Sequence, residues 1–274
     1  MRRRITEEPL SRLAVWARRL ALFALATAIL GTLIVRAGLL DMVPALATVA
    51  GALVLAVAAI LTAMAALVVI WREGVDGLGH ALWALLIGAA LIAYPGYLAG
   101  KAYRLPMIYD VTTDPDDPPR LEALARIRPR SGSNPVAYPG ATFAEQQRKA
   151  YPNVQPIELA VLPRIAYDVV YGVVTKRKWR VVDARRPQSR GRDGHIEAVA
   201  RTQIMGFRDD VIIRIRGVED SVRIDIRSSS RYGWHDLGTN AARVAALIED
   251  IEAAVAALPP ARRNPDPVPQ ERRR

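Results

Sequence analysis

Three membrane-spanning helices followed by an α+β domain is the architecture this sequence predicts. Three observations carry it: long apolar runs confined to the first hundred residues, strand-like alternation of period two beyond residue 195, and amphipathic helical stripes on either side of those strands. Eight of the 38 Lys and Arg and five of the 27 Asp and Glu fall among the first hundred of 274 residues, so one part suits a bilayer and the other suits water. Full disorder is excluded because 51% of residues are apolar. The lack of any Cys excludes a disulfide scaffold and a thiolate metal site. A freely soluble cytosolic enzyme is disfavoured by the same apolar runs.

A bilayer core of about 30 Å takes roughly 20 helical residues to cross. The first expected span covers about 20–40, behind a basic tail over 1–19, with Arg36 near its far end where a long side chain can snorkel. Its length exceeds that of a signal-peptide apolar core, and no small-residue cleavage site precedes a polar start. The second covers 44–71, opening on Pro44 and closing at Trp71 and Arg72, and is rich in small residues at four-residue spacing, such as Ala47 and Gly51. The third covers 81–98, with Trp83 near one end and Tyr94 and Tyr97 near the other, and Pro95 is expected to kink or end it. Arg36, Asp41 and His80 are the ionisable groups nearest the spans, all close to ends, so anchoring is favoured over conduction. Basic residues concentrate before the first span, which places the N-terminus in the cytoplasm and the C-terminal domain across the membrane, periplasmic or extracytoplasmic.

Residues 99–154 read as a Pro-rich linker that wraps the following domain, with short helices expected at 120–127 and 142–150, the second opening on a capping box of Thr142 and Glu145. Asp114, Asp116 and Asp117 admit either a turn or a calcium loop, but the Gly and distal Glu of an EF-hand are missing. The domain proper is expected over 155–258 in the order β-α-β-β-β-β-α: a strand at 156–161, a helix at 164–178, strands at 179–184, 195–204, 210–216 and 221–229, and a helix capped by Thr239 or Asn240 and ending before Pro259 and Pro260. The helices cover one face of an antiparallel sheet, and the tail 259–274, rich in Arg and Pro, reads as disordered.

The other sheet face carries Glu197, Arg201, Arg214, Arg216, Arg223, Asp225 and Arg227. Cross-strand ion pairing on a solvated face explains them, and so does binding of phosphate or lipid headgroups by guanidinium groups. Arg231, Asp236, Asn240 and Arg243 gather where the last strand feeds the last helix, either to hold an anion at the helix start or to cap and pair among themselves. Candidate anion-binding residues are therefore Arg214, Arg227, Arg231, Asp236, Asn240 and Arg243. Nucleic acid is not expected, because no aromatic residues interleave the basic ones.

No catalytic motif stands out. Ser229 and Ser230 lie near His235, but without a nucleophile elbow around them, and a serine run leaving a strand ordinarily supplies turn hydrogen bonds. His195 and His235 with Asp209 or Asp210 lack the spacing of metal ligands, and glycine-rich phosphate or dinucleotide loops are missing, so no metal and no cofactor are expected. Asp209 and Asp210 follow Gly206-Phe207 in what reads as a strand-to-strand turn, with their carboxylates accepting backbone N–H groups.

Five spaced segments resemble a known bacterial family: Asp110-Val-Thr-Thr-Asp-Pro-Asp-Asp-Pro-Pro119, Ile196-Glu-Ala, Gly206-Phe-Arg-Asp-Asp210-Val-Ile-Ile-Arg214, Asp225-Ile-Arg227-Ser-Ser-Ser-Arg231 and Asp236-Leu-Gly-Thr-Asn240-Ala-Ala-Arg243. They resemble the domain of unknown function 1499 over roughly 107–257. The resemblance implies a cell-envelope setting, since members include signal-bearing and membrane-attached proteins, and it implies no activity. The expected function is a non-enzymatic binding or interaction module presented by an inner-membrane protein. Its expected partners are the lipid bilayer and a lipid, an anionic ligand or another membrane protein. A membrane-tethered hydrolase using Ser229 or Ser230 with His235, or a subunit of a larger membrane complex, are the alternatives.

Overall fold

The computed structural model describes residues 8–39, 42–129, 132–188, 192–218 and 221–259. Asp41, the first residues of the basic N-terminal tail and the C-terminal tail from 260 lie outside the described residues. The chain divides into two compact units, Met1–Tyr103 with Gln203–Gly206, and Arg104–Thr202 with Phe207–Arg274.

The first unit holds α1 (Arg12–Arg36), α2 (Met42–Glu73) and α3 (Leu78–Arg104), each long and apolar enough to cross a membrane. Their packing is inside out relative to a water-soluble bundle. Ala14, Ala17, Ala21, Ala59, Ala63, Ala66, Ala81 and Ala84 form the buried seam, whereas Phe23, Leu61, Leu86 and Trp71 face outward. Small side chains let the helix backbones approach closely, and bulky apolar ones lose nothing by facing lipid tails. Gly88 shows how close the approach is, since a Cβ there would meet Ile60 Cγ1 at 2.6 Å and the Ala56 carbonyl oxygen at 3.2 Å. α1 starts earlier than the hydropathy suggests, because its start is set by Ser11, whose hydroxyl accepts the Ala14 N–H. Pro95 does not end α3, which runs on to Arg104.

The second unit is built on a six-stranded antiparallel sheet: β1 (Asp110–Thr112), β2 (Ile157–Leu159), β3 (Arg180–Arg185), β4 (Gly194–Arg201), β5 (Arg208–Val218) and β6 (Ser221–Ser230). The spatial order is β1-β6-β5-β4-β3, and β2 shares with β1 the outer edge of β6: Asp110–Thr112 pair with Arg227–Ser229, and Ile157–Leu159 with Val222–Ile224. A bulge between Val181 and Asp183 interrupts the pairing of β3 with β4. The alternation in β4, β5 and β6 aligns inward rows, such as Ile226, Ile213 and Ile196, in register. α6 (Pro163–Lys176) and α7 (Thr239–Ala256) cover this face, with Tyr167, Val170, Val174, Val244, Leu247 and Ile251 completing the core.

α4 (Ala123–Ile127) and α5 (Ala141–Ala150) come from the wrapping segment. Gly140 precedes α5 without any side-chain cap, so the Thr142–Glu145 capping box does not form. The opposite sheet face differs from expectation. It is not a solvated charged surface, because residues of the wrapping segment lie on it: Leu121 and Leu124 pack on Val199 and Ile212 in a second small core. Strand alternation identified the outward residues correctly but carried no information about what would cover them.

Candidate functional site

Covering that face buries or half-buries most of its charges, and Arg214, Arg216, Arg223, Asp225 and Arg227 are met by opposite charges. Arg227 is 2% exposed and makes a two-pronged pair with Asp110, at 2.9 and 2.8 Å, while also donating to the Pro119 and Val136 carbonyls. Asp210, fully buried, accepts from Arg128 Nε through one oxygen at 2.9 Å and from Arg231 Nε through the other at 2.8 Å. Arg231 Nη2 also lies 2.7 Å from Asp210, although without hydrogen-bond alignment. Asp225, also fully buried, gathers Arg214, Arg216 and Arg223. Taking such groups out of water costs several kcal/mol per ion, and only close, multiply bonded pairing offsets it.

Asp209 and Asp210 sit in β5, not in a turn, so the pleat sends them to opposite faces. Asp209 faces α7, where it pairs with Arg243. Burial pushes its carboxyl up from the usual range, against the opposing pull of Arg243. Ser228, Ser229 and Ser230 likewise continue β6 instead of forming a turn. Ser228 Oγ donates to Asn240 Oδ1 at 2.7 Å and accepts from Arg243, Ser229 Oγ accepts from Arg128 on the other face, and Ser230 Oγ accepts from Asn240 Nδ2 at 2.9 Å. His235 Nδ1 accepts the Leu237 N–H. Ser229 is fully buried and Ser230 nearly so.

The start of α7 is occupied by the protein's own anion. Asp236 accepts the N–H groups of Gly238 and Asn240, both at 2.8 Å, where Thr239 or Asn240 was expected to cap. Gly238, with φ of 72°, is the residue preceding the helix, and a Cβ there would come within 2.9 Å of Leu105. Asn240 instead bridges Tyr109, Ser228 and Ser230. Arg243 pairs with Asp209, outside the expected cluster, and not with Asp236. Of the six anion-binding candidates, Arg227, Arg231, Asp236, Asn240 and Arg243 are built into the fold, and only Arg214 borders open space.

That space is a cleft of about 610 Å³ beside β4, lined by Asp117, Arg120, Arg185, Arg186, Arg192, Asp193, His195 and Arg214, among others. Arg185 pairs with Glu122 and Asp183, Arg186 with Asp168, and Arg214 with Asp117 and Asp225. Arg120 and Arg192 have no ion-pair partner among the described residues. Burial pushes the Asp193 carboxyl up, with Arg216 and Arg214 opposing. His195 Nε2 lies 2.6 Å from Glu197 Oε1 and 3.9 Å from Asp183.

Asp183, His195 and Glu197 place three potential ligand atoms within 4.8 Å of one another. Their bonding argues for a structural role. Both Glu197 oxygens are occupied, Oε1 by the Glu122 and Ala123 N–H groups and His195, and Oε2 by the Leu124 N–H at 2.6 Å. Burial pushes the Glu197 carboxyl up, but these bonds outweigh it and hold the group below the usual glutamate range. The aspartates once open to a calcium reading have arginine partners: Asp114 with Arg223, Asp116 with Arg148, and Asp117 with Arg214 and Arg216. Asp114 also accepts the N–H groups of Asp116 and Asp117, which is the turn geometry.

Arg120, Arg128, Arg185, Arg186 and Arg192 were not singled out in the sequence. Two belong to the wrapping segment and three to a loop and strand end, and only knowledge of which face is covered would have marked them.

The site and fold define a class: a chain with three apolar helices long enough to span a bilayer, joined to an antiparallel sheet domain knitted by buried ion pairs. The family model described as protein of unknown function, DUF1499, matches residues 110–251. That is more than half of the chain, which belongs to this family. The match opens on β1 and closes inside α7. None of the curated proteins matches the chain.

Proposed function

We propose that the protein is a non-enzymatic binding module held in the bacterial inner membrane by its three spans, with its N-terminus cytoplasmic and its sheet domain on the extracytoplasmic side, and that it engages an acidic group of its ligand in the arginine-lined cleft. The observation that carries this reading is the pair Arg120 and Arg192. In a domain where arginine after arginine meets a carboxylate, these two border the open cleft without one among the described residues. Guanidinium groups so placed suit carboxylate or phosphate recognition by paired hydrogen bonds. The core between the sheet and helices α6 and α7 is made mainly of buried Val and Ile, which speaks against a lipid-chain cavity there. Burial of Ser229 and Ser230 speaks against the hydrolase, because a nucleophile must meet its substrate.

Native mass spectrometry of the full chain released from mild detergent tests the cleft. An acidic adduct of reproducible mass is expected on the wild type and absent from an Arg120→Glu/Arg192→Glu variant. An adduct retained by that variant would overturn the assignment, and a stoichiometric membrane-protein companion would favour the subunit reading.

Orientation has its own test, helped by the absence of native Cys. An Ala257→Cys variant, altered at an exposed position after α7, should react with a membrane-impermeant maleimide in cells whose outer layer is permeable. Labelling only after lysis would place the domain in the cytoplasm.

A further inference from the structure

Trp234 is 80% exposed, an unusual state for a residue that gains so much from burial. The loop that carries it is nevertheless firmly held. Asn134 Nδ2 donates to the Gly233 carbonyl at 2.8 Å and to the Ser230 carbonyl at 3.0 Å, and the Asn134 N–H donates to the Arg231 carbonyl at 2.7 Å. On the far side of the tryptophan, the Asp236 N–H donates to the Ile108 carbonyl at 3.0 Å. A fixed loop thus displays an indole to its surroundings.

The bond to Ile108 locates that loop along the chain. α3 ends at Arg104, only four residues before Ile108, a stretch that reaches at most about 14 Å. With 27 residues, α3 is about 40 Å long, so it exceeds a hydrocarbon core of about 30 Å and its ends reach the headgroup layer. Tyr103, at the end of α3, and Met107, within the connecting stretch, are both exposed. Aromatic residues with a polar edge favour this layer, where the ring lies among acyl-chain ends and the indole N–H meets water and headgroups.

We propose that the Trp234 loop is a membrane-interface anchor, with the indole seated in the lipid headgroup region on the side where α3 ends. This rests on the spanning role of α3 and is independent of which side of the membrane that is. The occupant is lipid, because a tether of four residues keeps the loop near the bilayer whatever else binds the domain.

The test uses the full chain with Trp16, Trp71, Trp83 and Trp179 replaced by Phe, reconstituted in phosphatidylcholine vesicles brominated near the headgroup end of the acyl chains. Trp234 should lose most of its emission to the brominated lipid and little to aqueous iodide. Strong iodide quenching without quenching by the brominated lipid overturns the anchor, and so does protection from both, which would indicate a protein partner. A companion chain retaining Trp83 alone, inside α3, separates the two levels: if Trp83 is quenched by brominated lipid and Trp234 is not, the spans stand and the anchor falls. Failure of both, or failure to float with vesicles, removes the membrane reading itself. If the multiple replacement impairs folding, a nitroxide on a Trp234→Cys variant reports the same depth, with oxygen access exceeding that of a polar nickel chelate if the anchor holds and the reverse if it fails.

Discussion

An Asp210→Ala variant is expected to lose about 4 kcal/mol or more of domain stability, enough to remove a large part of the roughly 5–15 kcal/mol that holds a typical domain folded. Asp210 is fully buried and serves both Arg128 and Arg231, so its removal leaves two guanidinium groups away from water with no counter-charge. Breaking one member of a buried pair is far costlier than never having had the pair, because the partner's lost hydration is no longer offset. The contrast is Arg148→Ala. Arg148 pairs with Asp116 at a similar distance, 2.7 Å, but both side chains are at least half exposed, and that change should cost under about 1 kcal/mol. Pulse proteolysis in urea of the detergent-solubilised chain measures both. Equal effects would mean that the network contributes little beyond surface pairing.

Glu197→Gln should be the second large effect, about 3 kcal/mol, and it carries a pH signature. Glu197 accepts three successive backbone N–H groups at the start of α4, together with His195, and an amide can present only one oxygen to them. The variant therefore releases the strap that places Leu121 and Leu124 on Val199 and Ile212. Because the folded carboxyl is held below its ordinary range, near ~4.3 in the unfolded chain, its contribution is complete above that range. It is lost as pH falls through the folded value, where both states become protonated. The stability gap between wild type and Glu197→Gln should thus be constant from neutrality down to mild acid, then narrow below about pH 4. A gap that widens in acid would contradict the assigned charge state. Asp209 and Asp236, whose carboxyls burial pushes up, act in the opposite sense and are common to both proteins.

Much of this fold is legible in the sequence because each part follows a local rule. The three apolar runs are long enough to cross a bilayer, and Val211, Ile213 and Ile215 alternate with charged or outward residues as strand geometry demands. What escaped was long-range. Arg128 lies 82 residues from Asp210, and Asp110 lies 117 from Arg227, so neither partnership has a spacing that a strand or helix period could reveal. The two short edge strands show the same limit, since Asp110–Thr112 forms a strand only by borrowing the free edge of β6. Capping was half legible: the polar cluster around Asp236 was visible, but which side chain turns back on the helix depends on Gly238 adopting a left-handed conformation.

The two ends of the sheet have unequal consequences for self-association. One margin is closed, since β1 and β2 together occupy the hydrogen-bonding groups along β6. Among the described residues the other margin, β3, pairs only with β4, and a like margin on a neighbouring copy would be an invitation to fibril-like stacking. Its bulge breaks the even spacing that a further strand would need, and Arg180, Asp183 and Arg185 add fixed charge there. Backbone zipping of one copy onto another is thereby disfavoured at this margin.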